Sequence, residues 1–235
     1  MKKACLAFLV STFTLVLSAQ QINDPNAELR EAKNFHGISV SHAFDVYIDQ
    51  SGTEAIAVSA PTAGDRERIK VEVKDGILHI GMDKKWSVRT GNKKFKAYIS
   101  VSNIDELDIS GACDVYINGT LKAANLSIDQ SGASDLKGKI EVDKLSVDLS
   151  GASDINLTGK ATQVHIQVSG ASSFKGYDLE TETCHAEASG SSDIKVTVNK
   201  ELSADASGAS DINYRGNGVI REMKSSGSGS VNKGK

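Results

Sequence analysis

Asp114, Asp135, Asp154, Asp193 and Asp211 each lie three residues after a glycine, in a recurring hexapeptide of the type SGASDI. Asp108, Asp129, Asp148 and Asp205 lie three residues before the same glycines, and Gln167 and Glu187 fill two of the remaining places in that column. Carboxylates that recur at a structural period can serve as hard oxygen ligands for calcium, which repeat proteins are known to bind. If successive acids stand about 4.8 Å apart, their repulsion is about 3–4 kcal/mol at an effective dielectric of 20 and about 1 kcal/mol in water. Something must relieve it. Lys137, Asn156, Lys175, Lys195, Asn213 and Asn232 follow two positions after the first acidic column and can neutralise or hydrogen-bond it without any metal. The nonapeptide pattern of calcium-binding solenoids is absent, so no cofactor is expected and calcium remains the one cation the acids would suit. His165 and His185 occupy one column, five residues before their glycines, with Gln167 and Glu187 beside them. His165, His185 and Glu187 together have the donor types of a zinc or copper site, although two surface histidines recur easily by chance. The sequence contains no nucleophile elbow, phosphate loop, zinc-protease helix or metal-binding cysteine cluster.

These columns presuppose elements that hold them in register. The glycines at 111, 132, 151, 170, 190, 208 and 227 are separated by 21, 19, 19, 20, 18 and 19 residues. Such self-similarity marks a solenoid. Four residues before the glycines stand Leu107, Ile128, Val147, Ile166, Ala186, Ala204 and Met223; four after them stand Val115, Leu136, Ile155, Phe174, Ile194, Ile212 and Val231. Both columns are apolar throughout, and the odd offsets between are polar, which is the period-two alternation of a strand with one buried face. The reading is an all-β chain folded as a right-handed parallel β-helix, each coil holding two or three short strands separated by turns. About seven rungs of 18–21 residues over 104–235 make a rod of roughly 30 Å. The SGAS step is its corner: glycine permits a tight turn, and the flanking serines can bond to turn amides.

The first nineteen residues pair Lys2 and Lys3 with an apolar run ending in small residues, the pattern of a removable export signal. The only early cysteine, Cys5, precedes that run, and no later stretch is apolar and long enough to cross a bilayer as a helix. A net charge of −3 and a pI near 6.0 exclude a basic field for nucleic acid. Residues 22–103 also alternate, and are expected to form a contiguous all-β region before the rungs, with Trp86 and the basic stretch 83–94 as its longest excursion. Within it FDVYIDQSG (44–52) echoes CDVYING and SIDQSG, and Gly52 lies 59 residues before Gly111, close to three periods. Cys113 and Cys184 belong to different columns four rungs apart, about 20 Å, which predicts two isolated thiols.

FHGISVSHAFDVYI, DGILHI and the train of SGASDI units resemble the family of secreted bacterial proteins described as putative auto-transporter adhesin, head GIN domain. The likeness runs from about Phe35 to the last rung. It implies an exported protein with a β-helical C-terminal part and an adhesin-like role, and supplies no catalytic residues. The chain departs from a true auto-transporter in ending at SGSGSVNKGK without a membrane β-barrel pattern.

The expectation is therefore a non-enzymatic adhesin-like protein in the periplasm, on the outer-membrane surface or outside the cell. Its candidate binding face is Asp108, Asp129, Asp148, Gln167, Glu187 and Asp205, offered to a glycan or an envelope protein. Exposed ends of a β-helix also invite pairing, which a cap or a homo-oligomer must satisfy. The alternatives are a polysaccharide lyase or hydrolase on the same scaffold, which the absence of long excursions disfavours, and a purely structural envelope protein.

Overall fold

The computed structural model describes residues 23–83 and 94–234. The export segment and the central part of the basic stretch, with Trp86, lie outside the described residues.

Each repeat is a coil of a parallel β-solenoid of about seven turns. The coils are β9 (Asp114–Gln130), β10 (Asp135–Leu149), β11 (Asp154–Val168), β12 (Ser173–Ala188) and β13 (Asp193–Ala206), each paired in parallel with the next. A last turn is divided among β14 (Asp211–Arg215), β15 (Val219–Ser225) and β16 (Ser230–Lys233). The alternation expected from sequence decides which side chains go in: Leu136, Ile155, Phe174, Ile194 and Ile212 stack as a fully buried column. One detail differs from the expectation of several short strands per coil. A coil runs as a single strand of 14 to 17 residues, because it bends inside the ladder, at register shifts such as that between Asn156 and Gly159, where glycine accepts a positive φ.

From β9 to β14 successive coils are joined at the SGAS corners, and the stacking there explains their composition. Gly132 has φ +85°, and a Cβ on it would lie 2.2 Å from the carbonyl oxygen of Gly111; at Gly151 the values are +81° and 2.4 Å from the oxygen of Gly132. Both the left-handed backbone and the approach of the previous coil require glycine. The following residue's amide donates to that same carbonyl, as in Ala133 N to Gly111 O at 2.7 Å and Ala152 N to Gly132 O at 2.8 Å. The second serine is buried. Ser153 Oγ accepts from Ser134 N (3.3 Å) and donates to Gly132 O (3.3 Å), while Ser172 Oγ accepts from Ser153 N (3.2 Å), so a ladder of hydroxyls runs between coils.

Cys113 occupies the serine place at the head of this ladder, and its thiol lies 3.4 Å from Ser110 O. Cys113 and Cys184 are both buried and unbridged. Burial pushes their thiols up to about 11 and about 12, so both stay protonated and unreactive at neutral pH.

Residues 23–83 and 94–103 continue the stack. β2 (Gly37–Val40) pairs in parallel with β8 (Glu106–Ile109), and β3 (Phe44–Gln50) pairs in parallel with β9. The corner between β2 and β3 is Ser41-His42-Ala43-Phe44, an SGAS unit with histidine in the glycine place. His42 takes φ +81°, and Gly111 stacks on its backbone. Gly52 is therefore not the predecessor of Gly111. Its amide bonds to Val101, and its Cα faces open space.

At this end parallel stacking gives way to antiparallel pairing. Further in sequence, β4 (Ala55–Ser59) runs antiparallel to β7 (Phe95–Val101), and β1 (Glu28–Arg30) antiparallel to β4. β5 (Ile69–Lys74) runs antiparallel to β6 (Ile77–Met82), which pairs in parallel with β2. A short helix, α1 (Ala63–Glu67), is capped by Thr62, whose hydroxyl accepts from Asp65 N at 3.2 Å. These strands close the N-terminal end of the rod.

Candidate binding face

The two acidic columns are continuous in register. Asp108, Asp129, Asp148, Gln167, Glu187 and Asp205 are successive strand partners, preceded by Ser39 and followed by Lys224. Ser39 Oγ donates to Asp108 at 2.9 Å, and Gln167 Nε2 donates to Glu187 at 3.1 Å. His185 Nε2 stands 2.8 Å from the other oxygen of Glu187. These two hydrogen bonds hold the Glu187 carboxyl below its ordinary value. Asp129 has the opposite environment: partial desolvation, then the charges of Asp148 and Asp108, raise its pKa.

The corner column runs Asp45, Asp114, Asp135, Asp154, Ser173, Asp193, Asp211 and Ser230. Part of its charge is relieved locally. Lys175 reaches Asp154 at 3.0 Å and Lys137 reaches Asp135 at 3.6 Å, while Ser230 donates to Asp211. Asp114, between Asp135 and Asp45, is desolvated and has a raised pKa. The lysine and asparagine column beside these acids has aromatic predecessors that sequence reasoning missed: Tyr98, Tyr47 and Tyr116 stack with ring centroids 5.3 and 5.4 Å apart. Their shared place in FDVYI, FKAYI and CDVYI is the signal that would have found them.

His165 and His185 are brought together as expected, their rings 5.1 Å apart and within 6° of parallel. Stacked faces do not aim two nitrogens at one point, and Glu187 is engaged with His185 and Gln167. Among the described residues, no group of three or more His, Cys, Asp and Glu is arranged to hold a metal ion.

The imidazole pair instead belongs to a concavity absent from the sequence reading. A groove of about 800 Å³ runs across the strands, from the His36–Asp105 pair (2.7 Å) at one end to Arg221 at the other. One side is the column Glu106, Ser127, Ser146, His165, His185 and Ser203; the other is Asn125, Lys144, Gln163, Thr183 and Glu201. Leu126, Leu145, Val164 and Cys184 lie beneath. A second hollow, of about 510 Å³, lies beyond the His185–Glu187 ridge and is lined by Asp148, Gln167, Glu187 and Asp205 with corner serines. Four of the six residues expected on the binding face thus share one hollow, while Asp108 and Asp129 lie outside it.

The family described as putative auto-transporter adhesin, head GIN domain, matches residues 34–218 of this chain. The chain belongs to this family. Among solved structures, a putative adhesin from Bacteroides fragilis is similar with a TM-score of 0.81 at 24% identity, covering 88% of this chain and 95% of that one. A putative lipid binding protein from Parabacteroides distasonis is similar at 0.68 and 23% identity, covering 90% and 98%. A putative adhesin from Parabacteroides merdae is similar at 0.64 and 16%, covering 89% and 95%. At these identities the likeness is one of fold. No curated protein matches the chain. Among the described residues, no helix of this head GIN domain protein is long and apolar enough to cross a membrane.

Proposed function

We propose that this protein is an exported, non-enzymatic adhesin that holds an extended glycan along its sheet face. The observation that carries the reading is the groove: it crosses seven strands and offers amides, hydroxyls, imidazoles and isolated charges at each coil's repeat above an apolar floor. Such a surface suits a chain-like ligand whose own polar groups repeat, and its mixed charge suits a neutral or weakly charged one. Membership of an adhesin family supports binding over catalysis. Among the described residues, the carboxylates that line the groove are Asp105 and Glu106, neighbours at one end with Asp105 engaged by His36, and Glu201 several coils away, an arrangement unlike two acids set across a scissile glycosidic bond. No cofactor enters this reading; three acids of the corner column, Asp135, Asp154 and Asp211, have a lysine or serine partner within the chain.

Saturable binding of the purified protein on a glycan array, equal with and without calcium and without release of shorter products, is the expected result. Lys144→Ala with Gln163→Ala should weaken a hit about tenfold, equivalent to about 1.4 kcal/mol. Shorter products would establish a carbohydrate-active enzyme instead. Absence of any glycan hit would leave a protein ligand or a structural envelope role, and would overturn the glycan reading.

A further inference from the structure

The two ends of the rod are unlike. At the N-terminal end the outermost strands are guarded: β1 has only three residues, and β5 carries Lys70, Glu72 and Lys74 on its exposed side. Short or charged edges are how proteins avoid edge pairing. The C-terminal end is guarded on one side only. In β16 the inward column reaches Lys233, a charge on the axis side. β15 carries charges too, Arg221, Glu222 and Lys224, but its inward positions are the apolar Ile220 and Met223. All seven of its residues are exposed, its outer edge pairs with no strand among the described residues, and Val219, Ile220 and Met223 are among the few large exposed apolar side chains. Ile220 and Met223 continue the inward columns of Leu202 and Ala204, so the apolar core of the rod is open there.

We infer that β15 is a docking edge for a second copy of this chain, giving a closed tail-to-tail dimer. The charges select the register. β15 has a register shift at Arg221, opposite the Leu202/Ser203 step, so Ile220 and Met223 both face inward although three residues apart. Antiparallel pairing about a two-fold axis that sets Ile220 opposite the partner's Met223 also sets Arg221 opposite the partner's Glu222, and the reverse. These charges already pair within the chain, Arg221 with Glu201 and Glu222 with Lys224, so the junction becomes a network of opposite charges over a shared apolar core. The guarded N-terminal end stops growth beyond two subunits. Arg221 also ends the long groove. A two-fold axis at β15 therefore brings two grooves into one line on one sheet face, doubling the surface offered to a ligand. That last consequence rests on the groove being a ligand site; the dimer does not.

Sedimentation equilibrium of the purified protein, without any ligand, tests the dimer. The wild-type protein is expected at twice the chain mass. Met223→Lys, and separately Arg221→Glu, should sediment at the single-chain mass with unchanged circular dichroism. The double variant Arg221→Glu with Glu222→Arg should regain the dimer, since exchanging the two charges preserves their pairing. A wild-type monomer at all concentrations overturns the inference. So does a dimer indifferent to Met223→Lys and Arg221→Glu, which would place the interface elsewhere, or open-ended filaments, which would mean head-to-tail contacts. Failure of glycan binding with an intact dimer would count against the function proposed above and leave the junction standing.

Discussion

Glycine at the corner meets two demands at once, and they can be separated. Gly151 needs both a left-handed backbone and freedom from a Cβ that would press on the Gly132 carbonyl; Gly52 has nearly the same φ, +82°, but nothing within 4 Å. Gly52→Ala should cost only the left-handed conformation, about 1 kcal/mol. Gly151→Ala should cost about 2 kcal/mol or more, since backbone atoms of two coils must also part. Urea denaturation of the two variants checks the difference, and equal costs would show that close approach contributes nothing. The same residue explains a failure of sequence reading. His42 sits at φ +81° in the glycine place, and a search keyed on glycine passes over it to Gly52, which has the right type and the wrong position.

At the scale of the strand, a column of like charges is tolerable only where neighbours answer it. Glu187 is answered by Gln167 and His185, and its lowered pKa means it contributes stability above its unfolded value that is lost as pH falls through its folded one. Asp129 has the reverse sign. Its raised pKa means the carboxylate costs stability at neutral pH, and that cost disappears as pH falls through the folded value, above the ordinary aspartate range. Asp129→Asn should therefore stabilise the protein at pH 7, by about 0.5 kcal/mol because the site is exposed and screened, and the gain should vanish in acid. Thermal melts at both pH values decide it; a loss of stability at pH 7 would mean that Asp129 holds a favourable partner. The columns themselves were legible, because a strand's period of two and a rung's near-constant length fix register without knowledge of the chain's path. The groove was not. Its walls combine Ser, Asn, Gln, Thr and His with Lys144, Glu106 and Glu201, so no column of one type stands out in sequence. The antiparallel N-terminal strands were equally hidden, since alternation does not report strand direction.

For the molecule as a whole, nearly every contact of a coil is with the coil before or after it. Stability should then behave as a sum over coils and their interfaces. Deleting residues 151–169 joins Ser150 to Gly170 and removes one coil while restoring the corner sequence. The shortened protein should remain folded, with a strand-rich circular dichroism spectrum and a cooperative but lower-temperature melt. Loss of all structure would show that the coils are not interchangeable. The backbone bonds linking those coils, such as Ala171 N to Gly151 O at 2.8 Å, point along the rod. Tension between the two ends therefore loads them one coil at a time, the peeling geometry in which hydrogen bonds fail in sequence. Drag on a ligand lying across the sheet face is spread sideways over every strand beneath it. The rod is mechanically anisotropic, weak when stretched end to end and strong when gripped along its flank.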